Sequence, residues 1–316
     1  MIDTVRMYGD YHIDYNKIDS LPWTHTYTYE HLDDTGMLGE VREYKKKGSL
    51  LYIKYNVDTR RLGVEVSIPK YLFGNNVRMI KDSDIPIFFR KLNNQLWNEF
   101  YLYPRHDSVY WTVTRMDVCW NFQVGGAVRE YIDVLGQIHI PKYTTRVYGD
   151  RETVEWMNKS IRMSFYDKER ELLARKDTSE AIESARGMLR FECNIRNSKQ
   201  LKQYSENRWA GELFREQVAK QILATYLQRI GVDKAFQTSN KFEQAKQLID
   251  AYGIVKAEQL MGFILLNDLY GQEFVRKNYT SSTLTRRMDD LKKVGITPFF
   301  SDKELPPLDL SFLNLS

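Results

Sequence analysis

The sequence predicts an α+β protein in which a mainly antiparallel central sheet carries flanking helices and is followed by a helical C-terminal subdomain. Two observations lead to this. Apolar and polar residues alternate through Leu62-Gly-Val-Glu-Val-Ser-Ile68, Ile161-Arg-Met-Ser-Phe-Tyr166 and Leu189-Arg-Phe-Glu-Cys-Asn-Ile195, the period-two pattern of strands with one greasy and one polar face. From about residue 206 strand character gives way to helices, which places a boundary near residue 200 and divides the chain into a sheet domain, 1–200, and a helical domain, 201–316.

In chain order, Ile2 to Tyr8 reads as a short strand and Trp23 to Leu32 as an aromatic, Thr-rich extended segment. Val41 to Ser49, with Lys45, Lys46 and Lys47, reads as a hairpin tip leading into a strand from Leu50 to Tyr55. The next strand runs from Leu62 to Pro69. A helix over about 85–100 follows, its stripe formed by Ile87, Phe88, Leu92, Leu96 and Trp97. Val109 to Phe122 is the longest β signal in the chain; Gly125 and Gly126 end it before a short helix over 128–136. Lys142 to Tyr148 and Thr153 to Trp156 are extended, and Asp167 to Gly187 reads as a mostly exposed helix crossing the sheet. In the last third, amphipathic helices are expected over 208–230 and 255–266, then one from Ser281 with Gly295 as its stop. The tail from Pro306 is expected to pack as an irregular strap.

Composition bounds the function classes. The 316 residues are enough for two domains and a sizeable core, and 46 Lys and Arg against 42 Asp and Glu leave a net charge of +4. That is mildly basic and only weakly suggests an anionic partner. The 21 Tyr, 15 Phe and 6 Trp suit sheets and base stacking alike. Cys119 and Cys193 lie in separate strands without metal-ligand spacing, so neither a disulfide framework nor a zinc site is indicated. No signal pattern opens the chain and no apolar run is long enough for a bilayer, so a cytoplasmic protein without membrane contact is expected.

The polar strand faces carry the chemistry. Glu65, Asp117, Glu192 and Tyr166, with Lys168 just beyond it, converge if their strands share one sheet. Carboxylates crowded together repel unless something positive sits among them. A hard divalent cation such as Mg²⁺ or Mn²⁺ held by Glu65, Asp117 and Glu192 would meet that need while Tyr166 attacks a phosphate and Lys168 offsets charge. Equally, the carboxylates can pair with Arg115, Arg190 and Arg196 on an ordinary wet face. Those arginines and Arg162 are also the candidate DNA contacts of the sheet. In the last helix Leu284, Met288 and Leu291 make a core stripe and leave Arg286, Arg287 and Lys292 toward solvent, as in the recognition helix of a helix-turn-helix or winged-helix unit.

The order of several short motifs resembles that of the gene II/gene X family of rolling-circle replication initiators from filamentous phages and related plasmids. The matching pieces are Met1-Ile-Asp-Thr-Val5, Glu65 to Val77, Thr114-Arg-Met-Asp-Val-Cys119, Thr153-Val-Glu-Trp156, Phe165 to Leu172, Leu189 to Arg196 and Leu291 to Ile296. The resemblance implies an HUH-like, metal-dependent DNA nickase and ligase. In it the tyrosine corresponding to Tyr166 attacks the origin strand, keeps a 5′-phosphotyrosine adduct and later rejoins the strand. Origin DNA is the implied partner, together with a host helicase and polymerase. The chain departs from the wider class in that its five histidines, His12, His25, His31, His106 and His139, include no His-hydrophobic-His pair. No second tyrosine lies one helical turn from Tyr166, so circle closure would fall to Tyr143, Tyr148, a second subunit in a homodimer, or water. The alternative reading is a DNA-binding protein that uses the same sheet as a stacking platform without catalysis.

Overall fold

A computed structural model describes residues 1–30, 38–45, 51–232, 241–296 and 305–313. Its strands are β1 (Ile2–Ile13), β2 (His25–Glu30), β3 (Leu38–Tyr44), β4 (Leu51–Asn56), β5 (Arg61–Ser67), β6 (Leu102–Pro104), β7 (Thr112–Gln123), β8 (Thr144–Tyr148), β9 (Thr153–Met157), β10 (Ile161–Asp167) and β11 (Met188–Ile195). Ten of them form one path in the order β2-β3-β4-β5-β1-β7-β11-β10-β9-β8, and β6 pairs with the end of β1. Every pairing is antiparallel.

The helices are α1 (Ile68–Phe73), α2 (Asp84–Phe100), α3 (Val128–Gly136), α4 (Lys168–Arg175), α5 (Ser179–Ser184), α6 (Ser198–Leu201), α7 (Ala210–Leu213), α8 (Glu216–Ile230), α9 (Lys241–Tyr252), α10 (Ile254–Asn278) and α11 (Ser281–Lys293). Val5, Met7, Val64, Val118, Phe165, Phe191 and Ile195 point from the sheet into the main core. That core is closed by Phe88, Leu92, Leu96 and Phe100 of α2, by Ile132 and Leu135 of α3, and by Ile222, Leu223 and Leu227 of α8. Each such side chain contributes about 1.5–3 kcal/mol by leaving water.

Local differences from the sequence reading have simple causes. The alternation of Leu62, Val64 and Val66 continues through Ile68, but the strand stops at Ser67 because Pro69 sits in the first turn of α1, where its missing N–H is harmless. In α2 the buried stripe is Phe88, Phe89, Leu92, Leu96 and Phe100, while Ile87 and Trp97 are each 51% exposed. The expected helix over 167–187 is two short ones, and that over 208–230 breaks at Phe214 and Arg215 between α7 and α8. The strap is present: Leu305 and Leu308 are buried, Tyr131 donates to the Pro306 carbonyl at 2.6 Å, and Phe312 stacks on Trp120. Lys46 and Lys47 of the expected tip lie outside the described residues.

Residues 201–316 do not share one core. The α8 helix belongs to the sheet's core, whereas Leu248, Leu260, Phe263, Ile264, Val275 and Leu291 from α9, α10 and α11 make a smaller one. No strand accompanies these three helices among the described residues, so no β wing is seen beside α11. The α10 helix kinks at Gly271, whose φ of 78° no other residue type adopts easily. None of the described helices is long and apolar enough to cross a membrane.

Candidate active site

Strand register builds the polar face in rows, because residues opposite one another on neighbouring strands project to the same side. One row is Glu65, Arg6 and Arg115 across β5, β1 and β7. The next is Asp117, Asn194 and Arg162 across β7, β11 and β10. A third is Cys119, Glu192, Ser164, Glu155 and Arg146, and a fourth is Asn121, Arg190, Tyr166, Thr153 and Tyr148, both reaching the edge strand β8. The four expected strands therefore bring Glu65, Asp117, Glu192 and Tyr166 to one face.

Hydrogen bonds divide that face into two groups. In the first, Arg115 donates Nη1 to Glu65 at 3.1 Å, and Nε and Nη2 to both oxygens of Asp117 at 3.0 and 2.6 Å. Glu65 also accepts from Arg6 Nη2 at 2.5 Å. A register shift places this guanidinium: Thr114 is the extra residue between the Met7–Val113 and Arg6–Arg115 pairs, and its hydroxyl donates to the Arg6 carbonyl. Such bulges re-aim side chains beside functional sites. In the second group the Tyr166 hydroxyl donates to Glu192 Oε2 at 2.9 Å, while Asn194 Nδ2 donates to Oε1 of the same carboxylate at 2.8 Å.

Glu65, Asp117 and Glu192 are thus near neighbours, yet they are not arranged as the expected Mg²⁺ or Mn²⁺ site. Among the described residues no three His, Cys, Asp or Glu side chains form a group able to hold a metal ion. The reason is steric and electrostatic: the Arg115 cation bridges Glu65 and Asp117, and Glu192 is turned to Tyr166. Asp117 is buried, and burial, with Glu192 and Asp3 nearby, pushes its carboxyl up to about 7 against the pull of Arg115. Between about pH 4 and 7 the folded chain then holds a proton that the unfolded chain has lost, so stability falls as pH rises, with a slope of at most ~1.4 kcal/mol per pH unit. The Asp117→Asn variant is expected to lose that part of the slope in urea unfolding series; an unchanged slope would mean that Asp117 titrates at its ordinary value.

Beneath one end of the face lies a sealed polar cluster. Arg190 and Lys168 are both 0% exposed. Arg190 donates to the Asn76 carbonyl at 2.8 Å and to Cys119 Sγ at 2.9 Å, and lies 3.6 Å from Asp3. Lys168 Nζ donates to Asn76 Oδ1 at 2.8 Å and to Glu171 at 2.7 Å. Asp3 in turn accepts from Ser67 and Asn76. The roof is the stretch around Asn76 and Val77 together with α4 and α5, whose Leu172, Ala181 and Ala185 pack against Val77.

Arg190, expected to contact DNA, is therefore an interior residue. Lys168, expected to serve the phenolate, is the first residue of α4, capped by Asp167, and its ammonium is tied to Asn76 and Glu171. It lies 5.9 Å from the Tyr166 ring centroid. Burial, with Arg190 alongside, lowers that ammonium to about 8. For Arg190 burial opposes the charge, but Cys119, Tyr166, Asp3 and Glu192 raise it well above its ordinary value and keep it cationic. The Tyr166 phenol is pushed up by burial first and by Glu192 second, so it is neutral and needs a base in order to attack.

The other expected contacts are dispersed. Arg162 is partly exposed two rows from Tyr166 and pairs with Glu155, and Arg196 is exposed at the end of β11. On α11 Arg286 and Lys292 are exposed, but Arg287 donates to the Tyr279 hydroxyl at 3.1 Å and lies over its ring. The sequence reading missed Asp3, Asn76, Asn194 and Glu155. All four lay inside motifs already singled out, and Asn194 and Glu155 share the polar face of their strands with residues that were chosen or lie directly opposite them.

Comparison with known proteins supplies the family. A model for the N-terminal part of a phage replication-associated protein family matches residues 48–215, more than half of the chain. No curated protein matches. Among solved structures, a rolling circle replication initiator protein from Geobacillus stearothermophilus aligns over 72% of this chain and 84% of that chain, at 12% identity and a TM-score of 0.31.

Proposed function

The chain belongs to the phage replication-associated protein family, and from this premise we propose that it is a rolling-circle initiator that nicks its origin strand with Tyr166 and later rejoins it. The observation that carries the reading is the 2.9 Å hydrogen bond from the Tyr166 hydroxyl to Glu192, itself held by Asn194. A phenol this basic attacks only as its proton leaves, and Glu192 is in place to take it.

The Tyr166 oxygen then attacks the phosphorus of the origin phosphodiester. The new P–O bond to tyrosine forms as the bond to the 3′ oxygen breaks, that oxygen takes up a proton from water, and the freed 3′ hydroxyl can prime synthesis while Glu192 returns its proton to solvent. Because the phosphotyrosine ester replaces one phosphodiester with another, reversing the step rejoins the strand without a nucleotide cofactor. Arg162, two rows from Tyr166 on the same open face, offsets charge on the phosphates of the bound strand beside the cut. A divalent ion, Mg²⁺ or Mn²⁺, would require Arg115 to leave the gap between Glu65 and Asp117, and no step above depends on it. In this reading α11, with Arg286 and Lys292, helps to choose the origin while the sheet cuts it, and the recognition task falls to the smaller core of α9, α10 and α11 rather than to the whole of residues 201–316.

The test is nicking of supercoiled DNA that carries the protein's own replicon, with Mg²⁺ or Mn²⁺ supplied and covalent protein–DNA adduct scored on a denaturing gel. Wild type is expected to form the adduct, and Tyr166→Phe to lose it by a factor of at least ~10³, as removal of a covalent nucleophile does. An undiminished adduct in the Phe variant would move the nucleophile elsewhere. Tight binding with no adduct in wild type would leave a DNA-binding protein that does not cut.

A further inference from the structure

We propose that a hollow at the far end of the polar sheet face, walled by Tyr8, Asp10, Arg61 and Tyr110, is a pocket for one guanine base of the origin strand. The proposal rests on the nickase reading above and adds to it residues that choose where the strand is held. The hollow has a volume of about 230 Å³, below the size of a pocket for a drug-sized ligand and suited to a single planar ring. Strand register places it. Tyr8 pairs with Gly63 on one side and Thr112 on the other, and Asp10 pairs with Arg61, so these side chains continue the face that carries Arg6 and Glu65. Gly63 puts no side chain beside Tyr8 in that row. From Asn121, in the row of Tyr166, to Thr112, in the row of Tyr8, β7 runs ~30 Å. A strand cut at Tyr166 and laid along the face therefore brings a base several nucleotides from the cut to the hollow.

The polar groups of the hollow are unspent. Elsewhere on the face the arginines are paired, Arg6 with Glu65, Arg115 with Asp117 and Arg162 with Glu155. Opposite charges directly across a ladder ordinarily pair in this way. Arg61 stands opposite Asp10 but does not turn to it: its guanidinium lies over the Tyr8 ring, 4.4 Å from the centroid. Among the described residues neither Arg61 nor Asp10 has a side-chain hydrogen bond or ion pair. The Asp10 carboxylate is left lining the hollow. Tyr110, 53% exposed and braced edge-on by Trp209, adds a second aromatic wall.

A planar cation backed by an aromatic ring is a stacking platform for a base. An ionised carboxylate beside it accepts hydrogen bonds and donates none. Guanine alone among the four bases presents two adjacent donors, N1–H and the N2 amine, on its Watson–Crick edge. Adenine, cytosine and thymine each set an acceptor beside their donor. A guanine stacked on Arg61 with that edge toward Asp10 satisfies both carboxylate oxygens, whereas any other base presses a lone pair against them. Base pairing hides this edge in a duplex, so the pocket takes an unpaired strand.

The experiment measures binding without cutting, by fluorescence anisotropy of a labelled single strand that carries the nick site of the protein's own replicon, on protein bearing Tyr166→Phe. Each guanine of the strand is replaced in turn by inosine, which lacks the N2 amine. Replacement at one position is expected to weaken binding by at least ~10-fold, as loss of a hydrogen bond to a charged group does. Asp10→Ala in the same background is expected to weaken binding of the unmodified strand by a similar factor and to make inosine at that position indifferent, because both changes remove one interaction. Asp10 is exposed, so its truncation leaves the fold intact. Arg61→Ala is expected to weaken guanine and inosine strands alike. An inosine scan with no sensitive position, or a sensitive position that persists in Asp10→Ala, would overturn the proposal while leaving the nickase reading, scored by adduct formation, intact. Failure to bind the strand at all would instead count against the nickase reading, and this proposal would fall with it.

Discussion

The Arg190→Ala variant is expected to lose about 3–5 kcal/mol of stability, the usual cost of removing one partner from a buried ionic cluster. Arg190 is wholly enclosed, and its guanidinium faces Asp3, the Asn76 carbonyl and Cys119. Deleting it would leave the Asp3 carboxylate, now held below its ordinary value by Arg190 and by hydrogen bonds from Ser67 and Asn76, without its main cation. It would also open a cavity directly across from Tyr166. Arg190→Lys keeps the charge but cannot serve three partners with a planar fork, so an intermediate loss is expected. The measurement is the free energy of urea unfolding of each variant. A loss below about 1 kcal/mol for Arg190→Ala, well under the range for a buried charge pair, would mean that the cluster is hydrated or rearranges, and that Arg190 is free to serve another purpose.

Arg190 also marks the limit of what the sequence could say. Period-two alternation identified β5, β10 and β11 and assigned their residues to the right faces, because one face of each strand is uniformly apolar. The same period cannot tell whether a polar face is open or roofed. Arg190, Glu192 and Asn194 alternate identically, yet the first is sealed beneath the Asn76–Val77 stretch and α4, while the second faces Tyr166. That roof arises from contacts between segments about a hundred residues apart, which local patterning does not encode. Lys168 was misplaced for another reason: it continues the alternation of β10 by two residues, but Asp167 caps a helix there and turns the lysine inward. The bulge at Thr114 is likewise invisible in the alternation, and it is what brings Arg115 between Glu65 and Asp117.

The largest effect on chemistry, after loss of the tyrosine itself, is expected from Glu192→Gln. The amide preserves the shape of the side chain but cannot take a proton, so nicking should fall by ~10²–10⁴, the range for loss of a general base, while binding of the uncut origin strand changes little. The kind of rescue then distinguishes two roles for the same carboxylate. If Glu192 acts on the Tyr166 proton, raising the pH should restore the rate in the variant, because solvent hydroxide increasingly forms the phenolate that the glutamine cannot. If Glu192 instead served as a ligand in the expected cation site, raising Mg²⁺ or Mn²⁺ would restore the rate and pH would matter little. The geometry favours the first outcome, since one oxygen of Glu192 accepts from Tyr166 and the other from Asn194. A variant that nicks at the wild-type rate at every pH would remove Glu192 from the mechanism and leave activation of Tyr166 to another group.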